Sequence, residues 1–249
     1  LTLAFKDFKI NEGILGSPWS DPIFKNFTML MHDEKFWSAF LNTFRMGFFY
    51  IITSFPVPII LAILLNEVGG KRYKRVLQTV YTFPNFLSWV VIGGLFVSLF
   101  ASDGLVNVII RAFGGNQVDF LSNEVTIRPM LYASNVWKTA GWSSILYLAA
   151  IAGINPELYE AAEVDGANRF QRIWHITWPG IKSTAVILLI LAFGGIMSNG
   201  FDQILNMSNA VVQDATEVLD TYIYRKTFQG IPNYGLSTAM GLGKSIINF

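Results

Sequence analysis

Apolar residues along this chain come in long blocks, not in the short stripes of a soluble domain. Four blocks have about the length, ~20 residues, that a helix needs to cross a bilayer: 43–66, 80–101, 129–153 and 182–206. A fifth opens near residue 235 and reaches residue 249 short of that length. Backbone groups in hydrocarbon must be satisfied within their own segment, so such blocks predict helices. The predicted fold class is all-α: a polytopic helical membrane protein, with residues 1–249 as one transmembrane domain. Pro56 and Pro58 predict a kink, because proline removes a donor and crowds the preceding turn. Pro84 predicts a bend or a helix start in 80–101. Small residues one turn apart, Ala149 with Gly153 and Ala239 with Gly243, would admit a neighbouring helix closely.

Composition agrees. The chain is 52% hydrophobic and only 14% charged, against about 25% in soluble domains, too little charge to coat a soluble surface of this size. The net charge of +1 gives no footprint for nucleic acid. The absence of cysteine removes disulfides, thiolate metal sites and cysteine nucleophiles. His32 and His175 stand alone, without ligand spacing to a second histidine, so no metal is expected. Leu1 and the short last block suggest that membrane sequence is missing at one or both ends.

Charge between the blocks sets orientation. Lys71, Arg72, Lys74 and Arg75 crowd 67–76, and Arg169, Arg172 and Lys182 lie in 154–182. Segment 102–127 sets Arg111 against Asp103, Asp119 and Glu124; 207–234 sets Arg225 and Lys226 against Asp214, Glu217 and Asp220. The positive-inside rule puts 67–76 and 154–182 in the cytoplasm and 1–42, 102–127 and 207–234 outside. Lipid contact by the basic cluster is a secondary expectation.

The cytoplasmic segment 154–181 is too charged for the apolar runs on either side of it. Asn155-Pro156-Glu157 reads as a helix start: a cap, a proline at the first position and an acid at the positive helix end. A short helix should run to about Asp165, with Leu158, Ala161, Ala162 and Asp165 on one face. Gly166 can close it in the left-handed conformation. Asn168 can cap a second helix over about 169–176, and Pro179 marks passage into the next span. Trp174 and Trp178 fit the cytoplasmic interface. Two readings stand on these residues alone: a lever gripped by a partner, or an amphipathic interfacial loop.

The same residues resemble the EAA loop of permease subunits in binding-protein-dependent ABC importers, whose pattern is Glu-Ala-Ala, three residues, Gly, nine residues, Ile, any residue, Leu, Pro. Here the matching positions are Glu160, Ala161, Ala162, Gly166, Ile176 and Pro179. Trp178 replaces the leucine. Asp165 and Arg169 flank the turn and are counted with the loop. AFKDF (4–8), SPW (17–19), FPNFLSW (83–89) and DTYIYRKTFQG (220–230) are similar to segments of the permeases for complex carbohydrates. The resemblance implies a type I ABC importer transmembrane fold with six core spans, one or both ends lying beyond this chain. It implies a location in the bacterial cytoplasmic (inner) membrane. It implies two cytoplasmic ATP-binding subunits holding ATP and Mg, a second and different permease subunit, and an extracytoplasmic solute-binding protein. Within this chain it implies neither a cofactor nor an enzyme activity.

GLGKS (241–245) imitates the end of a phosphate-binding loop, but Thr238 stands where that pattern requires glycine. Candidate pathway residues are Asn135, Trp137, Lys138, Trp142 and Tyr147 in 129–153, with Asn199 and Asp202 near the outer end of 182–206. Sugars need aromatic faces and polar partners, and an ionisable residue in a span tends to face an interior. Against this, Lys138 could snorkel to the outer interface between belt residues Trp137 and Trp142. Segment 216–230 carries Val218, Leu219, Tyr222 and Ile223, an apolar patch suited to docking a binding protein or to packing on the bundle. A self-contained secondary transporter or channel for a small solute would need acids within the spans, and a membrane enzyme would need acids or histidines clustered at a membrane edge. Neither pattern stands out.

Overall fold

The computed structural model describes residues 1–198, 200–229 and 232–248. Its helices are α1 (Lys25–Met31), α2 (Glu34–Ser54), α3 (Pro56–Glu67), α4 (Lys71–Thr82), α5 (Trp89–Phe100), α6 (Leu105–Ala112) and α7 (Glu124–Ala152). Then come α8 (Pro156–Val164), α9 (Arg169–Gly194), α10 (Phe201–Met207), α11 (Leu219–Phe228) and α12 (Tyr234–Asn248). Single helical turns at Thr2–Phe5, Gly13–Gly16, Phe83–Phe86, Ile196–Ser198 and Gln213–Thr216 complete the regular structure.

The helix is interrupted where Pro56 and Pro58 stand. α2 and α3 form one 34-residue run, Glu34–Glu67, jointed at Phe55 with Pro56 opening the second half. Two other blocks are broken where an unbroken span was expected. In 80–101, α4 stops at Thr82, a tight turn wraps Pro84, Leu87 is extended, and α5 starts only at Trp89. Pro84 has no N–H to give and crowds the turn before it. α5 has 12 residues, about 18 Å of helix, and together with α6 it makes a 24-residue run, Trp89–Ala112, long and apolar enough to cross a membrane. In 182–206, α9 ends at Gly194, and Gly200 adopts φ 93 just before α10. Gly194 and Gly195 in series weaken the helix there. The block 129–153 begins earlier than expected, at Glu124, where the Asn123 side chain accepts the Val125 N–H at 2.8 Å.

Contacts divide the chain into two compact units. One holds residues 1–48, 93–130 and 194–249; the other holds 49–92 and 131–193. Every segment that loop charge places outside falls in the first unit, and both basic segments fall in the second. Within the first unit, Asn42 Nδ2 donates to the Asp214 carbonyl at 2.8 Å, and Arg128 Nε to that of Ala215 at 3.0 Å. Asn209 Nδ2 donates to the Leu121 carbonyl at 2.9 Å. Segments separated by about 30 Å of hydrocarbon could not make such bonds, so this grouping accords with the alternation read from charge.

The first unit has a core of Leu30, Ala39, Met197, Leu219, Tyr222, Leu236 and Met240. Val218, Leu219 and Tyr222 are buried, so the apolar patch of 216–230 packs inward and is not left for a partner. Lys244 of the GLGKS stretch lies within α12 and pairs with both oxygens of Asp220 at 2.6 and 2.8 Å. The second unit packs Ile59, Ala62, Tyr147, Ile151, Ile181 and Ala185, with Trp178 against them. Trp178 is half-buried and packs on this core. Close helix approach uses Gly141 of α7, where a Cβ would collide with the Tyr81 carbonyl of α4. Gly153 and Gly243 do not serve this way: a Cβ at Gly153 would meet only carbonyls of its own last turn, and one at Gly243 would meet open space.

Candidate coupling element and pathway site

Both candidate sites lie in the second unit. The candidate coupling element begins where α7 stops, at Ala152. Asn155 caps α8: its Oδ1 accepts the Glu157 N–H at 3.1 Å, and Pro156 takes the first helical position. Gly166 then closes α8 with φ 77. The Ala167 N–H reaches the Ala162 carbonyl at 2.8 Å and the Gly166 N–H reaches that of Glu163 at 3.1 Å. This pair of bonds is the Schellman closure, which satisfies the last carbonyls of a helix. Two residues later Asn168 opens α9 with a reciprocal box. Its Oδ1 accepts the Gln171 N–H at 2.9 Å, while the Gln171 side chain accepts the Asn168 N–H at 2.7 Å.

α9 does not end near residue 176. It passes through a wide π turn at Ile173–Thr177 and continues to Gly194. The Trp178 N–H reaches back five residues to the Ile173 carbonyl. This extra-wide turn sits directly before Pro179, which has no N–H for the ladder, so the helix accommodates the proline without stopping. Three contacts fasten α8 and its approach to this helix. The Tyr159 hydroxyl bonds the buried Thr177 hydroxyl at 2.9 Å, Arg172 pairs with Glu163 at 3.2 Å, and Gly180 leaves no room for a Cβ against Ile154. α8 is thus tied sideways to the start of α9.

Glu160, Ala161, Asp165, Gly166 and Arg169 are exposed on this element, with Ala162 and Ile176 half-buried. Val164 and Phe170 flank the turn at 89% and 84% exposure, and Trp174 is exposed one turn beyond Phe170. Val164 and Phe170 were missed in the sequence reading. Their signal is there: two large apolar residues beside a polar turn, where none of the described residues covers them.

The pathway candidates are gathered only in part. Lys138 Nζ donates to the Asn85 carbonyl at 3.0 Å and to the Leu87 carbonyl, and lies 5.4 Å from the Trp89 ring centroid. The break at 83–88 leaves carbonyls without helical donors, and the ammonium supplies them. Trp142 packs edge-on against Phe86 of the same break, with centroids 5.7 Å apart. Asn135, one turn before Lys138, donates from Nδ2 to the Ser54 hydroxyl at 2.9 Å. Trp137 is partly exposed beside them. Tyr147 is 2% exposed inside the apolar core, so it lines no opening here. Asp202 sits exposed in the first turn of α10, in the other unit. Asn199 lies outside the described residues. Each histidine bonds a carbonyl of its own helical turn, His32 that of Thr28 and His175 that of Gln171. Among the described residues no three histidine or carboxylate side chains converge as metal ligands.

Comparison with known proteins agrees with this architecture. Residues 54–242 match the family described as "Binding-protein-dependent transport system inner membrane component". The polygalacturonan/rhamnogalacturonan transport system permease protein YteP of Bacillus subtilis is 41% identical over 99% of this chain and 76% of its own length. The lactose transport system permease protein LacF of Rhizobium radiobacter is 28% identical over 86% of this chain and 73% of its own. Among solved structures, a chain of a bacterial alginate ABC transporter in complex with an alginate pentasaccharide-bound periplasmic protein superposes with a TM-score of 0.86. It is 39% identical and covers 90% of this chain and 78% of its own. The chain belongs to the family of inner membrane components of binding-protein-dependent transport systems, and it is a permease.

Proposed function

We propose that this permease carries an oligosaccharide or polysaccharide-derived substrate delivered by an extracytoplasmic solute-binding protein. Two cytoplasmic ATP-binding subunits drive it by gripping residues 154–181, and a second, different permease subunit completes the pathway. ATP and Mg belong to those subunits, and this chain is not itself an enzyme. In keeping with that, Lys244 of the loop-like GLGKS stretch is held by Asp220 inside a helix. The carbohydrate reading draws on the names of YteP and LacF and on the alginate transporter.

The observation that carries the coupling role is the construction of 155–180. A short helix is capped at both ends, bonded sideways to the start of a long span, and tipped with Val164 and Phe170 in the open. Apolar side chains held proud of a rigid turn suit a hydrophobic socket on a partner. ATP-dependent closure of such partners would favour one of two pathway states through differential binding. Asn135, Lys138 and Trp142 beside the broken segment 83–88 are the pathway residues of this proposal; Trp137 flanks them.

The test is purification of the tagged protein from its native membrane in mild detergent, beside Gly166→Trp, which spoils the turn. A stoichiometric ATP-binding subunit should accompany the wild type and be lost or weakened in the variant. Wild type that purifies alone and moves solute in liposomes without ATP overturns the proposal in favour of a secondary transporter.

A further inference from the structure

Lys138 lies within α7 and carries a charge that no described residue neutralises. Its ammonium has three N–H donors; two go to the Asn85 and Leu87 carbonyls, and the Trp89 ring lies beside it. Carbonyls and a ring supply partial charge only. No ion pair of Lys138 with a carboxylate occurs among the described residues. Lys244, also inside a largely apolar helix, is treated differently: Asp220 grips it with both oxygens. An ionised group at membrane depth without a counter-charge is costly and tends to be kept for function. Its attraction for an anion grows as the surroundings lose water.

The neighbours of Lys138 narrow the anion. Phe86 and Trp142 are 69% and 51% exposed and present aromatic surface at the same break. Asn135, one turn away on α7, adds an amide. Aromatic surface, an amide and one cation together fit a sugar ring that bears a carboxylate better than a small inorganic anion, which has no use for the rings. We infer that Lys138 supplies the counter-charge for an acidic saccharide, of the uronate class, and so sets this permease's preference for anionic over neutral sugars. This rests on the carbohydrate-permease reading. Family membership does not decide it, since one relative is named for polygalacturonan, whose units are acidic, and another for lactose, which is neutral.

The experiment uses the complete transporter, with all subunits and its binding protein, in ATP-loaded proteoliposomes. The probes are trigalacturonate and its carboxyl-reduced, neutral counterpart, and binding of each to the binding protein is measured separately so that uptake can be normalised to it. Normalised uptake should favour trigalacturonate. Lys138→Gln should lose that preference by on the order of tenfold or more, while Lys138→Arg keeps it. Asn135→Asp puts a carboxylate one turn from Lys138 and should depress uptake of the acid selectively, which tests the idea without deleting the lysine. The inference is overturned if Lys138→Gln keeps the wild-type preference, if Lys138→Arg fails as badly as Lys138→Gln, or if wild type moves the neutral sugar equally well. A wild-type transporter that assembles yet moves neither sugar overturns the carbohydrate reading itself, and this inference with it.

Discussion

Asp33 ties two helices of the first unit together. Its Oδ1 accepts the N–H groups of Lys35 and Phe36 at 3.0 and 3.4 Å, capping α2. Its Oδ2 accepts the Tyr222 hydroxyl of α11, and Lys226 stands 3.8 Å away. Burial pushes the carboxyl up, but the Tyr222 hydroxyl, the two backbone donors and the Lys226 charge outweigh it and hold it below the usual carboxylate range. A depressed folded-state value means that the carboxylate stabilises the fold above the unfolded value of about 3.9. That contribution is lost as pH falls through the lower folded value. Acid should therefore release α11 from α2, and amide exchange in α11 should accelerate below about pH 4. Tyr222→Phe removes one of the bonds that hold the carboxylate ionised, so it should move that acceleration to higher pH. An unchanged exchange profile in the variant would mean that this carboxylate does not control the contact. Asp33 was unremarkable in the sequence, because its main partner lies far along the chain.

The coupling element shows what is legible at the scale of an element. Asn155, Pro156, Gly166 and Asn168 could be read from the sequence because capping is local: each donor and acceptor lies within a few residues. The wide turn at 173–177 could not. Pro179 reads as a boundary, and only the five-residue bond from Trp178 to Ile173 shows that the helix runs on. The break at 83–88 was half legible. Pro84 announced a bend, but the cation that satisfies its carbonyls comes from α7, fifty residues later, and no local pattern carries that pairing. Two substitutions test the local construction. Asn168→Ala should cost about 1 kcal/mol at the start of α9, seen as about fivefold faster exchange of the Gln171 amide. Gly166→Ala forces a Cβ into the left-handed region and should cost about 1–2 kcal/mol, loosening the Ala167 amide while the core amides around Ile181 stay protected. Loss of protection throughout α9 in either variant would mean that the element is not locally built.

For the whole molecule, the crossing most in need of proof is 71–100. Charge demands that Lys71–Arg75 and the 102–127 segment lie on opposite sides, yet the helix between them is broken into α4 and α5, of 12 residues each. α4 and α5 together carry about 36 Å of helix, enough for a core of about 30 Å, provided the break is satisfied inside the membrane. The carbonyl bonds of Lys138 and the close approach of Gly141 to Tyr81 supply that condition. An extended backbone at membrane depth is tolerated only where protein or a cavity meets its polar groups. The chain has no cysteine, so single cysteines report without background. Gly69 is exposed with open space around it, and Gln117 is exposed in the 102–127 segment. A membrane-impermeant maleimide should label Gly69→Cys only in inside-out vesicles and Gln117→Cys only in right-side-out ones. Labelling of both from one side would make 71–100 a re-entrant hairpin. The alternation read from loop charge would then fail at that point, and the break would be the tip of a loop instead of the middle of a crossing.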